Sequence, residues 1–80
     1  MMKYTRLDVM PIVQSVIGVT DELNEDVLLR NHGLDSMAII NLFSNLEAHF
    51  KVMFLNEDLT SENFQSIRNI LRILERARSA

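Results

Sequence analysis

Two glycines and one proline in eighty residues leave this chain few places to turn. An all-β domain of similar length needs a turn about every 8–12 residues, usually built on Gly, Pro, Asn or Asp at special dihedrals. The expected fold class is therefore all-α. No cysteine is present, so no disulfide can staple the chain and no thiol can act as nucleophile or zinc ligand. Eighty residues lie near the lower limit at which one apolar core holds a domain without cross-links. Residues 1–80 are expected to form that single domain.

Apolar spacing places the helices. Val9, Ile12, Val13, Val16 and Ile17 form one stripe at helical period. With Asp8 as N-cap, Pro11 falls in the first turn, where its missing N–H costs no hydrogen bond. Leu7 can then fold back as a staple, and Gly18 is a natural stop. Residues 19–34 break the period with Thr20, Asp21, Asn24, Asn31 and Gly33, while Leu23, Val27, Leu28 and Leu29 anchor the segment from beneath. A connection this long in so small a domain tends to carry function, and one short helical turn is expected in it.

A second helix starts at Asp35 or Ser36 and runs to about Lys51, with Ile39, Ile40, Leu42, Phe43, Leu46 and Phe50 inward. Val52–Leu55 reads as an extended linker tucking Phe54 or Leu55 into the core, since no second strand is evident to pair with it. Asn56–Phe64 reads as a turn and a short third helix, with Leu59 and Phe64 inward. The last helix, from about Ser66 to Ala77, repeats Ile67, Ile70, Leu71 and Leu74 at i, i+3, i+4, i+7. Phe50 and Ile70 are expected to be buried together where the second and last helices join. Three longer helices plus one short helix, with a long first loop, make a small four-helix bundle.

The distribution of charge narrows the partners. Residues 8–65 hold ten acids against Arg30 and Lys51, a net −8, while both ends are basic. Nucleic acid is disfavoured, because phosphate binding needs a dense cationic face. The basic last helix has no preceding partner helix at a tight turn, so a helix-turn-helix reader is also disfavoured. No apolar run approaches the ~20 residues of a membrane span. Met1–Leu7, with Lys3 and Arg6, lacks the apolar block of a signal peptide. The expectation is a cytoplasmic monomer that docks on basic protein surfaces. Arg68, Arg72 and Arg76 lie at i, i+4, i+8, either as a solvated face where the helix dipole favours cations or as a second contact surface.

Gly33-Leu34-Asp35-Ser36-Met37 is the segment most informative about function. Asp35 is placed to N-cap the second helix, its carboxylate accepting from otherwise unpaired N–H groups. Ser36 is then the first helical residue, its hydroxyl exposed at the rim, and Gly33 lets the loop approach without steric conflict. His32 beside this pair does not make a catalytic triad. Three residues within five positions rarely give a base in reach of the nucleophile plus a group orienting that base. His32 is read as a loop residue and His49 as an exposed helix residue. No metal site and no catalytic residue is expected.

The same segment resembles the carrier protein family, the acyl and peptidyl carriers of fatty acid, polyketide and nonribosomal peptide synthesis, which present an Asp-Ser pair followed by an aliphatic residue. Leu46-Glu47-Ala48-His49-Phe50 resembles the family's Leu-Glu-x-x-Phe. Glu57-Asp58-Leu59 and Glu62-Asn63-Phe64-Gln65-Ser66-Ile67 resemble its third helix and the approach to its fourth. The resemblance covers nearly the whole chain and implies a free-standing acyl carrier protein. It implies that a phosphopantetheinyl transferase attaches 4'-phosphopantetheine from coenzyme A to Ser36, with Asp35 and Gly33 shaping the site. The arm's thiol then holds a biosynthetic intermediate as a thioester. A phosphodiester on Ser36 would sit at the positive end of the helix dipole, worth about 0.3–1 kcal/mol.

Further partners implied are an acyl- or aminoacyl-loading enzyme and a downstream synthase or transferase, met through Met37, Leu34 and Asn41. Ala38, Asn41, Ser44, Asn45 and Ala48 make the second helix nearly neutral, unlike the acidic helix of the bacterial fatty-acid type. That departure points to a dedicated secondary pathway of polyketide or nonribosomal peptide type. An aminoacyl or peptidyl carrier is the alternative, and an unmodified helical interaction module a further one.

Overall fold

The computed structural model describes residues 3–80, so Met1 and Met2 of the expected domain and leading stretch lie outside the described residues. Helix α1 spans Arg6–Ile17, starting earlier than the apolar spacing predicts. Thr5, extended at φ −122° and ψ 168°, is the N-cap in place of Asp8. Asp8 is the third helical residue instead. Its carboxylate reaches back to accept from the Thr5 N–H at 2.9 Å and the Thr5 hydroxyl at 3.2 Å, the reciprocal arm of a capping box. Pro11 consequently lies inside the helix and not in its first turn. Its missing N–H leaves the Leu7 carbonyl unpaired, and since both residues are exposed, solvent can take that place.

Leu7 is 64% exposed and is no staple. Tyr4, the residue before the cap, does the packing, its ring edge-on to Phe50 at 4.9 Å. At the far end Gly18 takes φ +73° and its N–H donates to the Gln14 carbonyl at 2.8 Å, closing the helix as expected.

The long connection is anchored, but not by all four of the aliphatic residues expected to do it: Leu28 is 36% exposed and Val27 only half-buried against the core. Leu23 and Leu29 are buried, and the expected helical turn is a 3₁₀ turn at Leu29–His32. Two backbone bonds pin it beside the start of the last helix: Leu29 N–H to the Gln65 carbonyl at 2.8 Å and Arg68 N–H to the Glu25 carbonyl at 2.9 Å. Helix α2 spans Ser36–Phe50, with Leu42 and Leu46 fully buried. Ile40, expected inward, is 56% exposed and turns to solvent with Met37, one helical turn away.

The architecture is an all-α bundle of three full helices and not four. Residues 56–64 form two separate 3₁₀ turns, Asn56–Asp58 and Glu62–Phe64, in place of the expected short third helix. Leu59 and Phe64 are five positions apart, which on an α-helix puts them on different faces. The chain breaks between them, with Leu59 at φ −84° and ψ 68°, so that Phe64 can be fully buried. The Asn63 side chain secures the break by donating to the Asp58 carbonyl at 3.0 Å.

Residues 52–55 also differ from expectation. Val52–Met53 forms a short strand, β1, paired antiparallel with Arg78–Ser79, β2, so that Val52 faces Ser79 and Met53 faces Arg78. Phe54 then enters the core as foreseen. Helix α3 spans Ile67–Arg76 from a Ser66 N-cap and buries Ile67, Ile70, Leu71, Ile73 and Leu74. The pair expected at the helix junction is split: Ile70 is fully buried, but Phe50 is only half-buried, packed on Tyr4 and His49 near the bundle's end. The aromatic centre is Phe64, edge-on to Phe54 at 5.8 Å and tilted against Phe43 at 6.3 Å. Among the described residues, no helix is long and apolar enough to cross a membrane.

Candidate functional site

Gly33 sets the approach to α2. It closes the 3₁₀ turn at φ +107°, a region costly for any residue with a side chain, although a Cβ would meet nothing nearer than the Ile17 carbonyl at 3.7 Å. Leu34 follows, buried, its N–H donating to the Leu29 carbonyl at 3.1 Å. Asp35 is extended, and its carboxylate accepts from the Ala38 N–H at 2.9 Å, the cap that the sequence predicts. Ser36 is therefore the first residue of α2 and is exposed. Met37 is 76% exposed, Ile40 lies a turn further on, and Asn41 is also exposed. Leu34, expected to meet partners, instead belongs to the core beneath this surface.

Asp35 and Ser36 line an open groove of about 550 Å³. Leu34, Ile39 and Phe64 supply its apolar lining, and Arg30, Glu62 and Gln65 line it with charged and polar groups. These residues come from three separate segments of the chain: Arg30, residues 34–39 and residues 61–65. The bond from Leu29 N–H to the Gln65 carbonyl is what sets the first 3₁₀ turn against the last. Sequence reasoning picked out Gly33, Asp35 and Ser36 but not the opposite wall, since nothing local in residues 61–65 shows that they return to α2. Arg30 did leave a signal, as the one cation between residues 8 and 50.

The electrostatics divide the surface. Of the exposed and half-exposed positions on α2, only Glu47 is acidic, and its carboxylate is engaged in accepting from the Phe54 N–H at 2.9 Å. Three of the four acids of the first loop, Glu22, Glu25 and Asp26, are paired with arginines as well. Arg68 donates to both carboxylate oxygens of Asp26, at 2.6 and 3.1 Å, and lies 3.2 Å from Glu25. Those hydrogen bonds, and then the Arg68 charge, hold the Asp26 carboxyl below its ordinary value, while Asp26 raises Arg68 in turn. Arg76 similarly donates to Asp58 at 3.0 Å. The arginine row of α3 is thus mostly spent on holding loops. No hydrogen bond joins His32 to Asp35 or Ser36 among the described residues, and no cluster there has the makings of a metal site.

Asp35 caps α2 and leaves the next residue, Ser36, exposed in the lining of the groove, where a group attached to its hydroxyl could lie along the protein surface. The particular family follows from comparison. The family described as "Phosphopantetheine attachment site" matches residues 8–75, most of the chain, and the chain belongs to that family. It is a phosphopantetheine carrier, a protein of the acyl carrier type that is not itself an enzyme, and phosphopantetheine is its cofactor. No curated protein and no solved structure gave a match. The residues present fit the group: a hydroxyl to receive it, a groove beside that hydroxyl, and a cation in the groove wall.

Proposed function

We propose that Ser36 is the residue that bears the arm and that the chain holds an acyl intermediate in a dedicated secondary pathway of polyketide or nonribosomal peptide type. One observation carries the assignment: Ser36 is exposed at the first position of α2, beside a cap made by Asp35 and in the lining of the groove, inside the matched segment. In the attachment step the Ser36 Oγ–P bond forms as the pyrophosphate P–O bond of coenzyme A breaks. Adenosine bisphosphate leaves, and the hydroxyl proton passes to a base of the transferase. The bound arm supplies the thiol that this Cys-free chain lacks. Asp35 positions Ser36 by fixing the start of the helix, and Gly33 lets the preceding turn close.

The pathway assignment is supported by the nearly neutral outer face of α2, where Met37, Ile40 and Asn41 surround Ser36 and the one acid is occupied internally. Partners that meet this face, a loading enzyme and a downstream synthase or transferase, would recognise apolar and neutral polar surface more than charge. The test is intact mass after incubation with coenzyme A and a promiscuous phosphopantetheinyl transferase. The parent should gain one phosphopantetheine, and Ser36→Ala should gain none while keeping its helical circular dichroism.

A further inference from the structure

Arg30 is out of keeping with the charge around it. Among the described residues it is the only cation lining the groove, where Asp35 and Glu62 are both acidic. The other arginines set beside acids are committed: Arg6 to Glu22, Arg68 to Glu25 and Asp26, Arg76 to Asp58. Arg30 makes no ion pair among the described residues. Its backbone is nevertheless held firmly. Leu29 before it is fully buried and bonded to Gln65, and its own carbonyl accepts from the Gly33 N–H that closes the turn. An exposed arginine on a fixed turn, lining the same groove as Ser36, is poised for an anion.

We infer that Arg30 binds the phosphodiester of the arm, its guanidinium donating to the phosphate oxygens just beyond Ser36. The inference rests on the assignment of Ser36. The phosphorus is one bond from Ser36 Oγ, so the new negative charge must lie where Ser36 meets the groove. That charge joins those of Asp35 and Glu62, leaving Arg30 as the only opposing charge among the described residues of the lining. A guanidinium is the side chain best matched to two phosphate oxygens, since its planar fork can donate to both at once. Held in this way, the first atoms of the arm would lie along the groove wall.

The measurement is made on folded protein whose Ser36 mass gain has been verified. The Nε–H resonance of Arg30 is followed by NMR with and without the arm, and Arg72 on α3, away from the groove, serves as reference. The Arg30 signal should shift and exchange with water several-fold more slowly once the arm is attached, with Arg72 unmoved. The change in Tm on modification should drop in Arg30→Gln and be partly kept in Arg30→Lys, which retains the charge but not the fork. A verified mass gain with an unmoved Arg30 signal overturns the inference and leaves the function intact. So does an equal change in Tm in the parent and in Arg30→Gln. If the signal moves only when the arm bears a malonyl group and not an acetyl group, Arg30 reads a cargo carboxylate and its assignment to the phosphate is wrong. Absence of any mass gain defeats the functional assignment first, and this inference with it.

Discussion

Asp35 and Met37 flank Ser36 and differ in every physical respect that matters. The Asp35 carboxylate is bonded to the helix it starts, at 2.9 Å from the Ala38 nitrogen, whereas Met37 is 76% exposed. Asp35→Ala should therefore cost about 0.5–2 kcal/mol of stability and slow attachment of the arm. Met37→Ala should melt close to the parent, and its defect should appear in the rate at which a loading enzyme charges protein already bearing the arm. Thermal melts and the two rates on each variant separate the roles. A Met37→Ala protein that melts much earlier and charges normally would place Met37 in the core. Both positions were legible from the five-residue segment around Ser36, because capping and exposure at a helix start are local properties. Leu34 was not: its burial depends on what packs over it, which no local spacing records.

Among the elements, residues 56–64 show where periodicity stops being a guide. Their apolar residues were read correctly as inward, but five positions between Leu59 and Phe64 suit two turns better than one helix. The β1–β2 pair was illegible for a related reason, since Arg78–Ser79 has no strand pattern and pairs only because α3 ends beside β1. The core can be tested through its phenylalanines. Phe64→Ala should cost about 3–5 kcal/mol, enough to unfold most of a domain with so little in reserve. Phe50→Ala, half-buried, should cost distinctly less. Denaturant titration of both compares them directly, and equal losses would contradict the placement of the aromatic centre at Phe64.

The first loop offers a different test. Because Arg68 holds the Asp26 carboxyl below its ordinary value, the pairing supports the fold above the unfolded pKa and is lost as pH falls through the lowered folded value. The Tm difference between the parent and Asp26→Asn should hold steady from about pH 7 to 5 and vanish in stronger acid. A difference that grows on acidification would mean that Arg68 is not its partner.

Across the whole molecule, the net −3 is less telling than where the acids go. Glu25 and Asp26 face Arg68, Asp58 faces Arg76, Glu47 accepts from the Phe54 N–H, and the outer face of α2 is left nearly neutral. Binding of a loading enzyme to that surface should accordingly weaken little between low and physiological salt. A steep loss, measured by titration at two ionic strengths, would assign recognition to the acidic loop instead. The neutrality of α2 could be read from its residues, but the use of its one acid inside the fold could not.

Six serines compete for the central assignment. Ser66 is buried and its hydroxyl accepts from the Asn69 N–H, so it is unsuited to a modifying enzyme. Ser15 and Ser44 lie within helices, and Ser79 is in β2. Ser61 lines the same groove as Ser36 and is the nearest rival. Fragmentation mass spectrometry of the modified protein decides among them. All phosphopantetheine should be found on the peptide containing Ser36, at Ser36 itself, and Ser36→Ala should remain unmodified. Modification localised to Ser61 or any other serine, or a mass gain that survives in Ser36→Ala, would contradict the account.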